Sequence, residues 1–406
     1  MKRQYYLVII CFILFSVFCV FQSIPKEYEF QNTADEGYYF KCVNTIYENG
    51  FSYFPSLVKD YLANPSSYFN HPPSRIGYIL LAVLHFKIFG PSFTTLAIFS
   101  FFCYILFILV AFSFSSKFFG RAIAYPFALL IASSPLLISI GRSALVDSAF
   151  NLFAALSVWA FIDFLMTNKK SKFFIFLIIY SFSITIRASA LMLLVFFIIA
   201  FLIQKHYFKR QFSYKYLLGF VFIPLVAVSA SYVILFGGLR NALDLLKALL
   251  AIVGNMESNQ WAVLYCAGPW YKYIVDYMLL NHITVLLFIG YVGYILVSRE
   301  KEFKILYFLL YFVIIIAMFA GMTKYTRTLR YIIHLDMVIN LFAVFMLYSL
   351  FKQKDKHKEG RLVFIAIMLI FLMNCGSFVL FFKKHNMYVP INYWLLAMRR
   401  FIPPLP

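Results

Sequence analysis

The stretch Thr33-Ala34-Asp35-Glu36-Gly37-Tyr38-Tyr39 sets two adjacent carboxylates inside the first long polar segment, residues 25–75. It follows an apolar run at residues 5–21 and precedes a chain that stays mostly apolar to its end. Leaving either acid unpaired in hydrocarbon costs roughly 2.5 to 3.5 kcal/mol or more. The pair therefore faces water or a lined cavity, and it reads as the acid end of an active site.

Outward from that stretch, the chain is suited to lipid. Of 406 residues, 63% are hydrophobic and 13% charged, and the mean hydropathy is +0.83. A water-soluble domain of this length does not carry such a composition, so the fold class is an all-α polytopic membrane protein. The net charge of +20 falls mostly in short Lys and Arg clusters between apolar runs. There it orients the chain and meets anionic headgroups, and no basic domain stands apart to take nucleic acid. The six cysteines show no metal-ligand spacing. Cys42 and Cys266 fall in loops read as lying on one side of the membrane, which leaves their pairing open.

Apolar runs place about 11 transmembrane helices, at residues 5–21, 93–114, 122–140, 149–166, 173–186, 188–203, 216–236, 283–297, 305–321, 331–350 and 362–382. Residues 1–406 read as a single membrane domain with no soluble domain appended. A first outer loop covers residues 23–92, a second covers 237–282 with an amphipathic piece near 239–253, and an outer tail covers 383–406. The run at residues 76–89 is short and holds His85 and Lys87. Treating it as a helix lying at the interface puts every short basic cluster on the inside, and counting it as a span moves Lys169, Lys170 and Lys172 outside, against the charge rule.

Under that topology the polar features gather at the outer face. They are Asp35 with Glu36, His71-Pro72-Pro73 before the apolar run, Gly141-Arg142-Ser143-Ala144-Leu145-Val146-Asp147, Arg187 at a hairpin tip, and a turn holding Lys324, Arg327, Arg330 and Tyr331. Each has a plainer reading. Asp147 suits a helix N-cap, Arg327 and Arg330 suit snorkelling to headgroups, Arg187 suits an interfacial anchor, and His71 suits a rigid stop before a helix. His334, Asp336 and Asp163 lie inside apolar runs, where ionisable groups are functional candidates, although Asp163 also suits pairing with Lys169 or Lys170. The aromatic stretches at residues 261–277 and 388–394 read as interfacial belts.

In this order, Asp-Glu in the first loop, His-Pro-Pro before an apolar helix, Arg-x-x-x-x-Asp in the outer turn at residues 142–147 and a late Arg-Tyr, the sequence resembles the C-type membrane glycosyltransferases. The likeness is to the group holding protein O-mannosyltransferases, aminoarabinose transferases and related lipopolysaccharide sugar transferases. The resemblance implies sugar transfer from a polyprenyl-phosphate donor to an acceptor lipid, glycan or protein at the outer leaflet, with inversion at the anomeric carbon. It implies Asp35 as general base, Glu36 as its orienting partner and Asp147 as a second acid. Arg142, Arg327 and Arg330 are then the donor-phosphate ligands, with Lys324, Arg187, His71 and Tyr331 as further substrate-binding candidates. No cofactor is required by this reading; a divalent metal at Asp147 is an option it leaves open. The composition fits a bacterial cytoplasmic-membrane protein with its site facing outward. The rival class is a transporter or lipid flippase of envelope precursors, which tends to show repeats and midplane polar groups that this sequence does not display. A polymerase or ligase and a noncatalytic assembly subunit stand behind it.

The topology is checked by cysteine accessibility in intact cells. A cysteine at position 147 is expected to label from outside, and one at position 170 only after permeabilisation. Cytoplasmic labelling at 147 overturns the assignment.

Overall fold

A computed structural model describes residues 3–26, 34–64, 73–254, 266–298, 303–321, 327–353 and 355–380. His71, Lys324 and the tail at 383–406 lie outside the described residues. The described chain forms α-helices and short turns, with no strand among these residues. In order the helices are α1 (Arg3–Gln22), α2 (Ala34–Asn49), α3 (Phe54–Ala63), α4 (Ile76–Phe89), α5 (Phe93–Phe119), α6 (Arg121–Ser133), α7 (Pro135–Gly141) and α8 (Val146–Thr167). They continue with α9 (Lys170–Ile186), α10 (Leu193–Leu202), α11 (Tyr214–Leu235), α12 (Leu239–Gly254), α13 (Lys272–Val297), α14 (Phe303–Gly321), α15 (Asp336–Leu350) and α16 (Lys356–Phe378).

Among the described residues, nine helices are long and apolar enough to cross a membrane, and the bent pair α6 and α7 makes a tenth. The 17 residues of α9 reach about 26 Å, close to the roughly 30 Å hydrocarbon core. With α9 counted, the expected figure of about eleven spans is met, and the chain is an integral multi-pass membrane protein. At 14 residues, α4 reaches only about 21 Å.

The chain divides into two compact units. One comprises Met1–Ser23, Phe101–Arg142 and Leu264–Pro406; the other comprises Ile24–Ser100 and Ser143–Val263.

In the first unit α6 is the centre, with α1, α15 and α16 packed around it and α13 laid against α15. Aromatic pairs join these helices, among them Tyr6 with Tyr125 at 4.5 Å and Tyr5 with Phe364 at 4.7 Å between ring centroids. The chain bends by 60° between α6 and α7. The cause is local: Pro135 excludes the helical region for the residue before it, and Ser134 accordingly takes φ −60°, ψ 119°. The carbonyl of Ala132, freed near the break, accepts from the Tyr104 hydroxyl at 2.6 Å. The sequence reading of one straight span over 122–140 is thus refined to a broken one.

A second departure concerns residues 272–281, read from the sequence as loop and interfacial belt. They are helical, and Lys272, Tyr273, Asp276 and Tyr277 are buried. Charged residues interrupt the apolar run there, which hides a helix whose polar groups are satisfied within the protein. The backbone breaks at Asn281, with φ −145° and ψ 58°.

In the second unit α8 and α9 form a hairpin, closed by Asn168 in the left-handed region (φ 51°). Phe161 of α8 anchors it, with rings of Phe176 at 4.9 Å and Phe197 at 4.6 Å. Asp163 pairs with Lys172 at 3.2 Å rather than with the Lys169 or Lys170 expected, because the hairpin turn carries Lys172 back toward α8. α9 also packs on α11 and α4, α2 packs on α4, and the amphipathic α12 rests on α3 and α11. Cys42 is a free, buried thiol, and Cys266 is buried. Burial pushes the Cys42 thiol up to about 12, so it stays protonated at neutral pH.

One glycine sets how closely α4 approaches α9. A Cβ at Gly77 would stand 2.3 Å from Thr185 Oγ1 and 3.1 Å from the Ile186 backbone nitrogen. Gly77→Val is therefore expected to lower stability by about 1 to 3 kcal/mol through overpacking. Gly293→Val, where nothing lies within 4 Å, serves as control. Thermal unfolding of the two variants in detergent checks the difference.

Candidate active site

The acids of the first motif begin α2, placing Asp35 and Glu36 in its first turn. Carboxylates are favoured there because the free N–H groups of a helix start carry partial positive charge. The two acids then diverge. Asp35 is only half-buried, whereas Glu36 is fully buried. Glu36 Oε1 accepts from the Ala144 backbone N–H at 2.6 Å. The first and second motifs, far apart in sequence, thus meet through this bond.

Ala144 belongs to the turn that leads into α8. Two serine bonds hold the entry: Ser100 Oγ donates to the Leu145 carbonyl at 3.0 Å, and Ser148 Oγ donates to the Ser100 carbonyl at 2.7 Å. Asp147 is fully buried in the first turn of α8, with Leu145 in the N-cap position. The capping reading therefore misses by two positions. Asp147 instead pairs with Arg187, whose Nη1 donates to Oδ1 at 2.7 Å. The same guanidinium lies 5.3 Å from the centre of the Phe150 ring. Arg187 follows directly on α9, where Thr185 and Ile186 abut Gly77 of α4.

At the start of α4, Arg75 stacks its guanidinium over the Tyr39 ring at 4.9 Å. Tyr39 also meets Tyr78, at 5.3 Å between centroids. Within the second unit, direct contacts thus link Glu36 to the turn before Asp147, Asp147 to Arg187, and Arg75 to Tyr39. Sequence reasoning missed Arg75; its signal was a cation immediately before an apolar helix and two residues after Pro73.

The other expected cations belong to the first unit. Arg142 is buried beside Phe378, its guanidinium 5.4 Å from the ring centre. Arg327 donates from Nη1 to the Gly268 carbonyl at 2.5 Å and from Nη2 to the Ala320 carbonyl at 2.9 Å. It therefore ties the segment before α13 to the end of α14. Lys272 Nζ donates to Asp276 Oδ2 at 2.6 Å and to the Arg327 carbonyl at 3.1 Å. Arg330 and Tyr331 share one helical turn, with Arg330 buried and Tyr331 half-buried. His334 follows, its ring 5.9 Å from that of Tyr311. Asp336 opens α15 and accepts from Asn340 Nδ2 at 2.9 Å. The Lys272–Asp276 and Asp336–Asn340 pairs were legible only as i, i+4 spacings of complementary groups. Among the described residues, no group of three or more His, Cys, Asp or Glu is placed to hold a metal ion.

Residues 70–232 match the family described as dolichyl-phosphate-mannose-protein mannosyltransferase. The fold is similar to that of ArnT from Cupriavidus metallidurans bound to undecaprenyl phosphate, with a TM-score of 0.56 and 12% identity over 99% of this chain and 78% of that one. The apo state of the same protein aligns with a TM-score of 0.46 and 11% identity, over 86% of this chain and 72% of that one. Comparison with curated proteins finds no match. The family match covers less than half of the chain, and at 12% identity the structural likeness is one of fold.

The buried Asp147–Arg187 pair lends itself to a double-mutant cycle. Asp147→Ala or Arg187→Ala alone strands a buried charge and is expected to cost about 3 to 5 kcal/mol. The double variant Asp147→Ala with Arg187→Ala is expected to cost less than the sum of the singles. Unfolding in detergent measures each, and additive losses would show that the pair is not coupled.

Proposed function

We propose that the chain transfers a sugar from a polyprenyl-phosphate-linked donor to an acceptor lipid, glycan or protein at the outer face of a bacterial cytoplasmic membrane, with inversion at the anomeric carbon. The observation that carries this reading is the division of labour in the first turn of α2. Glu36 is fully buried and bonded to Ala144, and Asp35 beside it is half-buried. A carboxylate held on a helix start and open on one side suits a general base.

In the proposed step the acceptor hydroxyl oxygen bonds to the anomeric carbon while the bond from that carbon to the phosphate oxygen breaks. The hydroxyl proton passes to Asp35, and the bond's electron pair leaves on the lipid phosphate. Charge growing on that phosphate calls for cations, and guanidinium groups offer it paired donors. Arg142 and Arg330 keep the phosphate role in this reading on their motifs, and Arg75 at the start of α4 is a further candidate cation of the second unit. Arg187 and Arg327 take different roles: Arg187 orients Asp147, and Arg327 holds a turn in place. Asp147, held in that orientation, then positions the acceptor. His71, Lys324 and Tyr331 remain substrate-binding candidates on their motifs. The relative bound to undecaprenyl phosphate supports a donor of this lipid class.

Transfer of radiolabelled sugar from a polyprenyl-phosphate donor by purified protein tests the proposal. Asp35→Asn is expected to fold normally and to lose activity by about 10² to 10⁴-fold, the usual worth of a general base. Full activity in that variant removes Asp35 from the mechanism. Movement of the lipid-linked sugar with no new glycosidic bond would instead favour a transporter.

A further inference from the structure

The upper half of α13 carries a stripe of buried polar side chains that the proposed step does not use. Tyr273, Asp276, Tyr277, Asn281 and Thr284 are 5% exposed or less. Tyr273, Asp276 and Tyr277 share one helix face ahead of the break at Asn281, and Thr284 lies three residues beyond it. After the break α13 is largely apolar, with Val285, Phe288 and Ile295 buried.

The Tyr273, Tyr277 and Thr284 hydroxyls, Asp276 Oδ1 and Asn281 Nδ2 are buried without a hydrogen-bond partner among the described residues. So is Asn340 Oδ1 of α15, the helix on which α13 packs. Tyr277 lies within electrostatic reach of Asp336 and Tyr311. Buried polar atoms are nearly always satisfied, and each one left bare costs about 1 to 3 kcal/mol. Six along one seam, beside a helix whose backbone breaks at Asn281, point to a guest that supplies the missing bonds.

The chemistry of the seam selects the guest. Asp276 Oδ1 and Asn340 Oδ1 only accept, Asn281 Nδ2 only donates, and the three hydroxyls do both. A phosphate, which only accepts and carries negative charge, would face two acceptors and the Asp336 carboxylate. Of the cations beside the stripe, Lys272 is bonded to Asp276 and the Arg327 carbonyl, and Arg327 has Nη1 and Nη2 bonded to carbonyls, leaving its Nε as one further donor for the guest. A neutral molecule rich in hydroxyl groups both donates and accepts, and its C–H faces suit the Tyr273 and Tyr277 rings.

We infer that the seam of α13 and α15 binds a sugar ring through Tyr273, Tyr277, Asn281, Thr284, Asp276 and Asn340. The inference rests on the glycosyltransferase reading and deepens it. The sugar belongs either to the donor or to an acceptor glycan.

Tyr277→Phe and Thr284→Val each remove one hydroxyl and keep the side-chain shape. Binding to purified protein is read by thermal shift with three probes: polyprenyl phosphate, polyprenyl-phosphate mannose and a free mannose disaccharide. The expected result is that the wild-type protein binds the mannosylated lipid more tightly than the bare lipid. Each variant should lose about tenfold of that excess, the worth of one hydrogen bond, with bare-lipid binding unchanged; this identifies the donor sugar. Loss confined to the disaccharide supports the seam equally and identifies an acceptor glycan. Variants that bind all three probes as the wild type does overturn the inference and leave the seam to water. If the wild type binds neither lipid, the donor reading fails, while the disaccharide still reports on the seam. Failure of all three probes overturns both.

Discussion

A carboxylate sealed from water must be met by donors fixed in the protein, and Glu36 shows how much structure that requirement organises. Its partner is a backbone N–H 108 residues away, in a turn that is itself held by Ser100 and Ser148. To keep that bond, the first turn of α2 must sit against the entry to α8. A charge-assisted bond of this kind is worth about 1.5 to 3 kcal/mol, and leaving the acid bare would cost more. The Asp147–Arg187 pair obeys the same requirement and ties α8 to the end of α9. The second unit is thus assembled around the satisfaction of two buried acids, and Asp35 inherits its position from the neighbour that is pinned.

The first unit meets the requirement by other means. Lys272 and Asp276 neutralise each other within one helical turn, and the lysine's remaining donor capacity holds the Arg327 carbonyl. Arg327 then spends its guanidinium on carbonyls at the ends of two neighbouring segments. Backbone breaks play their part here, at Ser134 because a proline follows and at Asn281 inside the polar half of α13. Such breaks persist in a membrane protein only where surrounding groups re-satisfy the backbone.

Much of the architecture was legible from the chain alone. Apolar runs of 14 to 22 residues reported the spans, because transfer into lipid depends on each segment's own composition. The amphipathic helix at Leu239–Gly254 announced itself by spacing. Residues 34–49 and 272–281 were harder. Both are helical, yet both carry acids and amides that lower hydropathy to the level of a loop, and only their burial against other helices explains them. For the candidate site, the acids were readable as residues, but their roles were not. Glu36 and Asp35 look equivalent in sequence and differ in burial; Arg187 and Arg327 look like phosphate ligands and are engaged elsewhere.

The amino-acid sequence by itself determined the solvent, the approximate number of spans and the position of every ionisable group along them, since hydropathy, charge and proline geometry act within a few residues. Only the tertiary structure decided which guanidinium meets which carboxylate, which acid stays open and where polar groups line a seam. Those outcomes depend on packing between helices far apart in the chain, at distances of a few ångströms that no local pattern encodes.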